Sequence, residues 1–298
     1  MKKLIDWKPV IEKFHKRLSD WKARTISFGG RLTLVKSVLN SLPLYYFSIY
    51  RAPSCVIKKL ECVRRNFYWG GNIDDKKISW VNWEKLLLPY EEGGLNIGSL
   101  KGKNLALLGK WRWRFHTEIN SLWTKIITSI YGSHGGFDSD DSHRHSPPHG
   151  SWFNVINAGK TLDSLAWRLA KVQRCRKDSR EMEADVRSHW GWSRSPTGRA
   201  LGELETLSNL INSFVFDHSE TDADSWRWKI APNGKFTTEV LNETIEGKFN
   251  EGRSLHMETE RNYLTPKKIE IFIWRARLRR LAVRVELDKR GVDLHSVL

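Results

Sequence analysis

Cysteine and methionine are scarce in this 298-residue sequence, with three of each. Cys55, Cys62 and Cys175 are too few and too scattered to staple a disulfide scaffold, and their shortage fits a reducing compartment. Long apolar runs are missing too, since no stretch approaches the roughly 18 residues that a bilayer span needs. After Met1-Lys2-Lys3 the pair Leu4-Ile5 gives way at once to Asp6, which leaves no apolar core for a secretory signal. A soluble, intracellular chain without a membrane partner is expected. G-x-x-x-x-G-K-[ST], H-E-x-x-H and G-x-S-x-G are all absent, so a phosphate cradle of that type, a zinc-protease helix and a hydrolase nucleophile have no basis here. Internal repeats and sustained heptads are also lacking.

Basic residues and tryptophan are plentiful. Lys and Arg number 50 against 34 Asp and Glu, giving +16, and there are 15 Trp. The excess is uneven. Residues 1–131 carry 24 basic and 10 acidic residues, net +14, while 132–265 carry 17 and 20, net −3, and 266–298 carry 9 and 4, net +5. A concentrated positive field favours a polyanion, and together with so many aromatic rings it points to nucleic acid. A chain of this length can bury about 75% of its unfolded surface, enough for one to three domains.

Helical spacing of Leu32, Val35, Val38, Leu39 and Leu42 predicts a helix over 31–42, stopped by Pro43, with Gly29-Gly30 bending the chain before it. Ser54 is placed as the N-cap of a second helix to Trp69, with Val56, Ile57, Leu60, Val63 and Phe67 inward and Gly70-Gly71 at its end. Residues 78–81 read as a short strand or extended link, followed by a helical turn over 83–88. A third helix over 101–116 buries Leu105, Leu108, Trp111 and Phe115, and a fourth over 122–130 turns Trp123, Ile126, Ile127 and Ile130 inward. Residues 132–150 are polar and rich in Gly, Pro and Ser, and mark a linker. Helical character returns over 151–170 and 201–216. Trp226, Trp228 and Ile230 alternate before Pro232-Asn233-Gly234, and Lys235 to Thr238 follow it, predicting a β-hairpin. Residues 247–260 read as polar linker. From Pro266 a helix is expected with Ile269, Phe272, Ile273 and Ala276 inward and Lys268, Arg275 and Arg279 outward, then a last helix over 283–290. The fold class is mainly α, with a small α+β part at the C-terminal end.

The residues proposed to meet nucleic acid are Arg24, Arg31, Lys36, Lys58, Lys59, Arg65, Lys103, Lys110 and Arg114, which at helical spacing suit a phosphate backbone. Trp113, between Arg112 and Arg114, is the candidate for stacking a base. A solvated basic surface accounts for any one of them singly. Trp69, Trp80, Trp83 and Trp111 are assigned to the core. No catalytic or metal site is assigned. Asp74-Asp75 and Asp140-Asp141 read as solvated loop acids, His143, His145 and His149 as linker histidines, and Cys55 and Cys62 as small residues on one helix face.

Four stretches carry a family resemblance: LSDWKARTISFGGRLTLVKSVLNSLPLYY (18–46), RRNFYWGG (64–71), ISWVNWEKLLLPYEEGGLNIGSL (78–100) and NLALLGKWRWRF (104–115). In order and spacing they resemble the region following the catalytic palm in plant LINE-class (non-long-terminal-repeat) retrotransposon reverse transcriptases. PKKIEIFIWRARLRRLAVRVELDKRGVDLHSV (266–297) resembles the opening of the zinc-binding domain of those enzymes, and DSWRWKIAPNGKFTTEV (224–240) resembles the hairpin that begins it. The resemblance implies a thumb- or linker-like helical domain over 1–131, a flexible linker over 132–150, a charged connector over 151–223 and a truncated zinc-binding-like domain over 224–298. The family's activity is RNA-directed DNA polymerisation, yet its palm, with two metal-holding aspartates, would lie before Met1, so no catalysis is expected. Zinc is expected for the family, but its Cys and His ligands are missing here and His295 alone cannot hold an ion. Ala282 stands where the family commonly has Pro, and the usual Gly- and Trp-containing segment before Lys171 is absent. The expectation is a non-catalytic remnant of a transposable element, located in the nucleus, that binds RNA, single-stranded DNA or a hybrid with little sequence preference. An exon fragment of a complete polymerase and a translated relic without function stay open as alternatives.

Overall fold

The computed structural model describes residues 4–19, 25–71, 77–137, 150–165, 228, 230–231, 233–253, 255, 257–259 and 265–291. They form helices joined by turns, with no β-strand among the described residues. A 3-10 turn, Leu4–Trp7, leads into α1 (Lys8–Ser19), followed by α2 (Phe28–Leu34), α3 (Leu44–Phe47), α4 (Ser54–Tyr68) and α5 (Trp83–Leu87). Then come α6 (Leu100–Thr117), α7 (Leu122–Tyr131), α8 (Trp152–Leu165), α9 (Thr238–Asn250), α10 (Lys267–Arg277) and α11 (Arg284–Asp288). None of them is long and apolar enough to cross a membrane.

Two apolar clusters share α6. The first gathers Trp7, Val10 and Phe14 of α1, Leu32 of α2, Val56, Leu60 and Phe67 of α4, Leu100 of α6 and Trp274 of α10. The second gathers Leu105, Leu108 and Phe115 of α6, Trp152 and Ile156 of α8, Trp228, and Leu241 and Ile245 of α9. Asn104 of α6, itself buried, stands where both meet. Its amide donates to the carbonyls of Phe47 and Tyr50, each at 2.9 Å, and its oxygen accepts the N–H of Ala52 at 2.9 Å. Three backbone groups of an irregular segment are thereby satisfied, which buried polar groups require. Arg51 continues the seam by donating to the Asn157 carbonyl and the Thr161 hydroxyl of α8, both at 2.9 Å.

Local chemistry explains most helix ends. The hydroxyls of Ser27, Ser99, Ser121 and Thr237 each accept a backbone N–H of the first turn of α2, α6, α7 and α9, the standard service of an N-cap. At α4 the cap position belongs to Pro53, with Ser54 already inside the helix. The helix predicted from 31 begins earlier, at Phe28, and passes into a π-helical stretch over Val35–Leu39. Gly29 and Gly30 therefore lie within α2, and a Cβ on Gly29 would meet Lys267 Cβ and Lys268 N at 3.0 Å. The glycine serves close helix packing against α10, not a bend.

Residues 78–81 contain no strand. The predicted hairpin is likewise not formed among the described residues; its Trp226 flank lies outside them. The turn itself is made: Gly234, at φ 66°, donates to the Ala231 carbonyl, and Trp228 donates to the Gly234 carbonyl at 2.7 Å. Thr237 then caps α9, so the segment expected to return as a strand enters a helix instead, and that helix runs into the expected linker as far as Asn250. Two helix faces also depart from expectation, one in part and one wholly. On α7, Trp123 and Ile127 pack on the second cluster as expected, but Ile126 and Ile130 point to solvent with Leu122. On α10, Ile271, Trp274 and Arg275 are buried and Ile269, Phe272 and Ile273 are exposed. Both helices carry two apolar stripes, and periodicity alone does not choose between them. The predicted helix over 201–216, the linker at 138–149 and the histidines 143, 145 and 149 lie outside the described residues.

Candidate nucleic-acid interface

The α1 and α4 helices pack against each other. Burial of Trp7, Val10, Ile11 and Phe14 turns Lys8, Lys13, Lys16 and Arg17 outward on α1. Burial of Val56, Leu60, Arg64 and Phe67 turns Cys55, Lys58 and Lys59 outward on α4. The single acid of α4 is withdrawn from this surface. Glu61 Oε2 accepts from Arg64 Nη1 and from Trp83 Nε1, both at 2.8 Å, and Oε1 accepts the N–H of Leu100 at 2.9 Å. A carboxylate that would have neutralised Lys58 and Lys59 is thus spent inside the fold, and the outer face of α4 stays cationic. On α1, Glu12 offsets part of the charge, at 3.7 Å from Lys8. The α1 cations were missed at the sequence level, although the alternation of Trp7, Val10 and Phe14 with the lysines was available to find them.

The other predicted cations have different fates. Arg24 lies outside the described residues. Arg31 is buried, lies 4.2 Å over the Phe28 ring and fills the space beneath Gly70. Its burial, with Arg275 nearby, lowers its pKa. Lys36 donates to the Tyr90 hydroxyl at 2.6 Å. Arg65 is half-buried, with Nη2 at 3.3 Å from Cys62 Sγ. Lys110 is exposed. Arg114 grips Glu118 through two bonds of 2.7 and 2.9 Å and lies over Trp111 and Trp123. Those bonds raise the pKa of Arg114 and lower that of Glu118. Trp113 stacks on Phe236 at 5.3 Å and meets Trp228 edge-on, so its ring is engaged within the protein. Arg275, expected to face outward, is buried and donates twice to the Arg280 carbonyl. Of the core tryptophans, Trp69 and Trp83 are buried, while Trp80 and Trp111 are partly exposed.

Lys103 belongs to an internal network. Burial, reinforced by Arg64, pushes its pKa down to about 8, against the opposing pull of Glu246 and Glu61. Arg64, fully buried, also donates to the Gly98 carbonyl at 3.2 Å, and burial lowers its pKa. Glu246 of α9 accepts both the N–H and the hydroxyl of Ser99, at 2.8 and 2.7 Å. Burial nonetheless raises the pKa of Glu246. These four charges tie α4, the start of α6 and α9 together. No cluster of three or more metal-ligating side chains occurs among the described residues. Asp74-Asp75, Asp140-Asp141 and His295 lie outside them.

Over 143 residues, 48% of its length, the chain is 39% identical to an Arabidopsis thaliana protein provisionally named a ribonuclease H protein, spanning 22% of that protein. Over 123 residues, 41% of its length, it is 30% identical to the uncharacterized mitochondrial protein AtMg00310 of the same plant, spanning 79% of it. The chain thus covers about a fifth of the first relative and most of the second. No family model and no solved structure matches.

Proposed function

The chain belongs to the family of the uncharacterized mitochondrial protein AtMg00310, and from that premise we propose that it is a retrotransposon-derived, non-catalytic protein that binds RNA, single-stranded DNA or an RNA–DNA hybrid through the phosphate backbone. The observation that carries this reading is the inward turn of Glu61, which leaves Lys58 and Lys59 without an acidic partner among the described residues, on the outer face of α4 beside the cations of α1. The +14 balance over residues 1–131 supports it, as does the nucleic-acid activity in the name of one relative. The resemblance to LINE-class reverse transcriptases supports that ancestry and a working location in the nucleus. The test is a salt-titrated binding assay with single-stranded, duplex and hybrid oligonucleotides. If about six phosphates of a single strand are neutralised, log affinity against log salt has a slope near −4. Lys58→Gln with Lys59→Gln makes that slope shallower by about 1.4. A flat salt response defeats the reading, and template copying by the purified chain with magnesium and deoxynucleotides defeats its non-catalytic part.

A second reading, the fragment of a longer polymerase, is favoured by one observation: the chain spans only 22% of the longer relative. Sequencing full-length transcripts upstream of Met1 decides it, because an in-frame palm with paired aspartates establishes the fragment.

A further inference from the structure

A cleft of about 280 Å³ lies between the segment before α5 and the segment from the end of α10 through α11, lined by Ser79, Trp80, Lys85, Leu278, Arg280 and Arg290 among others. Its parts are held in place. Arg290 donates to the carbonyls of Ser79 and Trp80 at 3.0 and 3.2 Å and lies 4.8 Å over the Trp80 ring. Arg279 adopts a left-handed conformation, φ 54°, and the N–H of Arg280 donates to the Arg275 carbonyl at 2.8 Å, so the chain reverses and brings Arg280 to the rim.

The charge of this cleft is one-sided. Three cations, Lys85, Arg280 and Arg290, converge on it, and among the described residues only Glu286 pairs with any of them. Glu286 sits 3.6 Å from Arg280 and is shared with Lys289 at 2.9 Å. Lys85 has no acidic partner among the described residues, because the neighbouring Glu84 is paired with Arg253 at 3.1 Å. The Trp80 ring already carries Arg275 at 5.4 Å besides Arg290, so the cleft reads charge and not a base plane. The two positive charges left uncompensated among the described residues match a phosphomonoester, which carries about −1.5 to −2 at neutral pH. They exceed what the single charge of a phosphodiester within a strand needs. The volume lies just below the usual range for small-molecule pockets, about 300–1,000 Å³, which suits a terminal group.

We propose that this cleft is a phosphomonoester site that receives the terminal phosphate of a bound strand. The assignment rests on the strand-binding reading and gives it a polarity: one end of the nucleic acid is held by Lys85, Arg280 and Arg290 while α1 and α4 contact its backbone. The test compares short oligothymidines bearing a 5′-phosphate, a 3′-phosphate or two hydroxyl ends, by fluorescence anisotropy with the full chain. One phosphorylated strand binds about tenfold tighter than the hydroxyl-ended strand, the ratio that a charge-assisted contact supplies. Lys85→Gln, a change at an exposed side chain, and Arg280→Gln each bring that ratio towards one. Lys58→Gln weakens all three strands and keeps the ratio. Inorganic phosphate that erases the preference shows that the site also takes the free anion; phosphate that fails to compete assigns the site to strand ends. Equal affinity for all three strands overturns the cleft proposal and leaves backbone binding standing, whereas no binding of any strand overturns both.

Discussion

Glu246 of α9 accepts the hydroxyl proton of Ser99 at 2.7 Å, and that same hydroxyl caps α6 by accepting the N–H of Gly102 at 2.9 Å. The carboxylate reaches Ser99 only because Gly102 has no side chain: a Cβ there would stand 2.4 Å from Glu246 Oε1. Gly102→Ala is therefore expected to destabilise the fold by about 1–3 kcal/mol through overpacking, despite the gain of about 1 kcal/mol in helix propensity. In a Glu246→Ala background the severest clash is gone and only Asn242 Oδ1, at 3.0 Å, still crowds the Cβ, so the same change costs clearly less. Urea denaturation of the four proteins measures the coupling; additive effects refute it.

Lys103 supplies a pH dependence with a defined sign. Its pKa falls to about 8 in the fold against an ordinary value of 10.5, so the folded state holds the proton less firmly than the unfolded chain. Below pH 8 both states are protonated and the fold bears the cost of the buried charge. Between about pH 8 and 10.5 only the unfolded chain keeps the proton, so stability rises with pH, by at most about 1.4 kcal/mol per unit. Stability of the wild type relative to Lys103→Met should climb as pH goes from 7.5 to 10. A difference that stays constant or falls contradicts the buried amine.

The Tyr68 hydroxyl is buried with no hydrogen-bond partner among the described residues, and burial raises its pKa, keeping it neutral. Its ring packs among Phe28, Trp69 and Trp83. Tyr68→Phe preserves that packing and removes an unsatisfied polar atom, whose burial costs about 1–3 kcal/mol. A melting temperature equal to or above that of the wild type is expected, and a clear drop shows that the hydroxyl has a partner.

Much of α4 was legible because a single apolar stripe leaves one possible orientation. Val56, Leu60 and Phe67 admit only one inward face, and Lys58 and Lys59 follow from it. Where the stripe is doubled, as on α7 and α10, the sequence is ambiguous, and packing partners distant in the chain decide. Trp274 turns inward because its indole N–H reaches the Gly93 carbonyl at 2.8 Å, a contact invisible to local periodicity. The same limit applies to charge. Glu61 and Lys58 look alike as surface residues of one helix, and only Trp83 and Leu100 reveal that the acid is internal. The α9 helix was hidden by Asn233-Gly234, a turn signal that is realised without the second strand it usually serves.

Arg279 offers a final measurement. The end of α10 closes with the N–H of Arg280 on the Arg275 carbonyl and that of Arg279 on the Ala276 carbonyl, at 2.8 and 2.9 Å. This closure requires a left-handed residue at position 279, where a side chain with a Cβ costs about 1–2 kcal/mol and glycine is the usual occupant. The Arg279 side chain is exposed, and among the described residues no hydrogen bond or ion pair of its side chain offsets that cost. Arg279→Gly should therefore stabilise the fold by about 1 kcal/mol after the entropy of the more flexible unfolded chain is deducted. Arg279→Ala, which keeps the Cβ and removes only the charge, should leave stability near that of the wild type. If the alanine variant gains as much as the glycine variant, relief of charge repulsion among Arg275, Arg277 and Arg280 is the cause, and the backbone conformation is not the reservoir of strain.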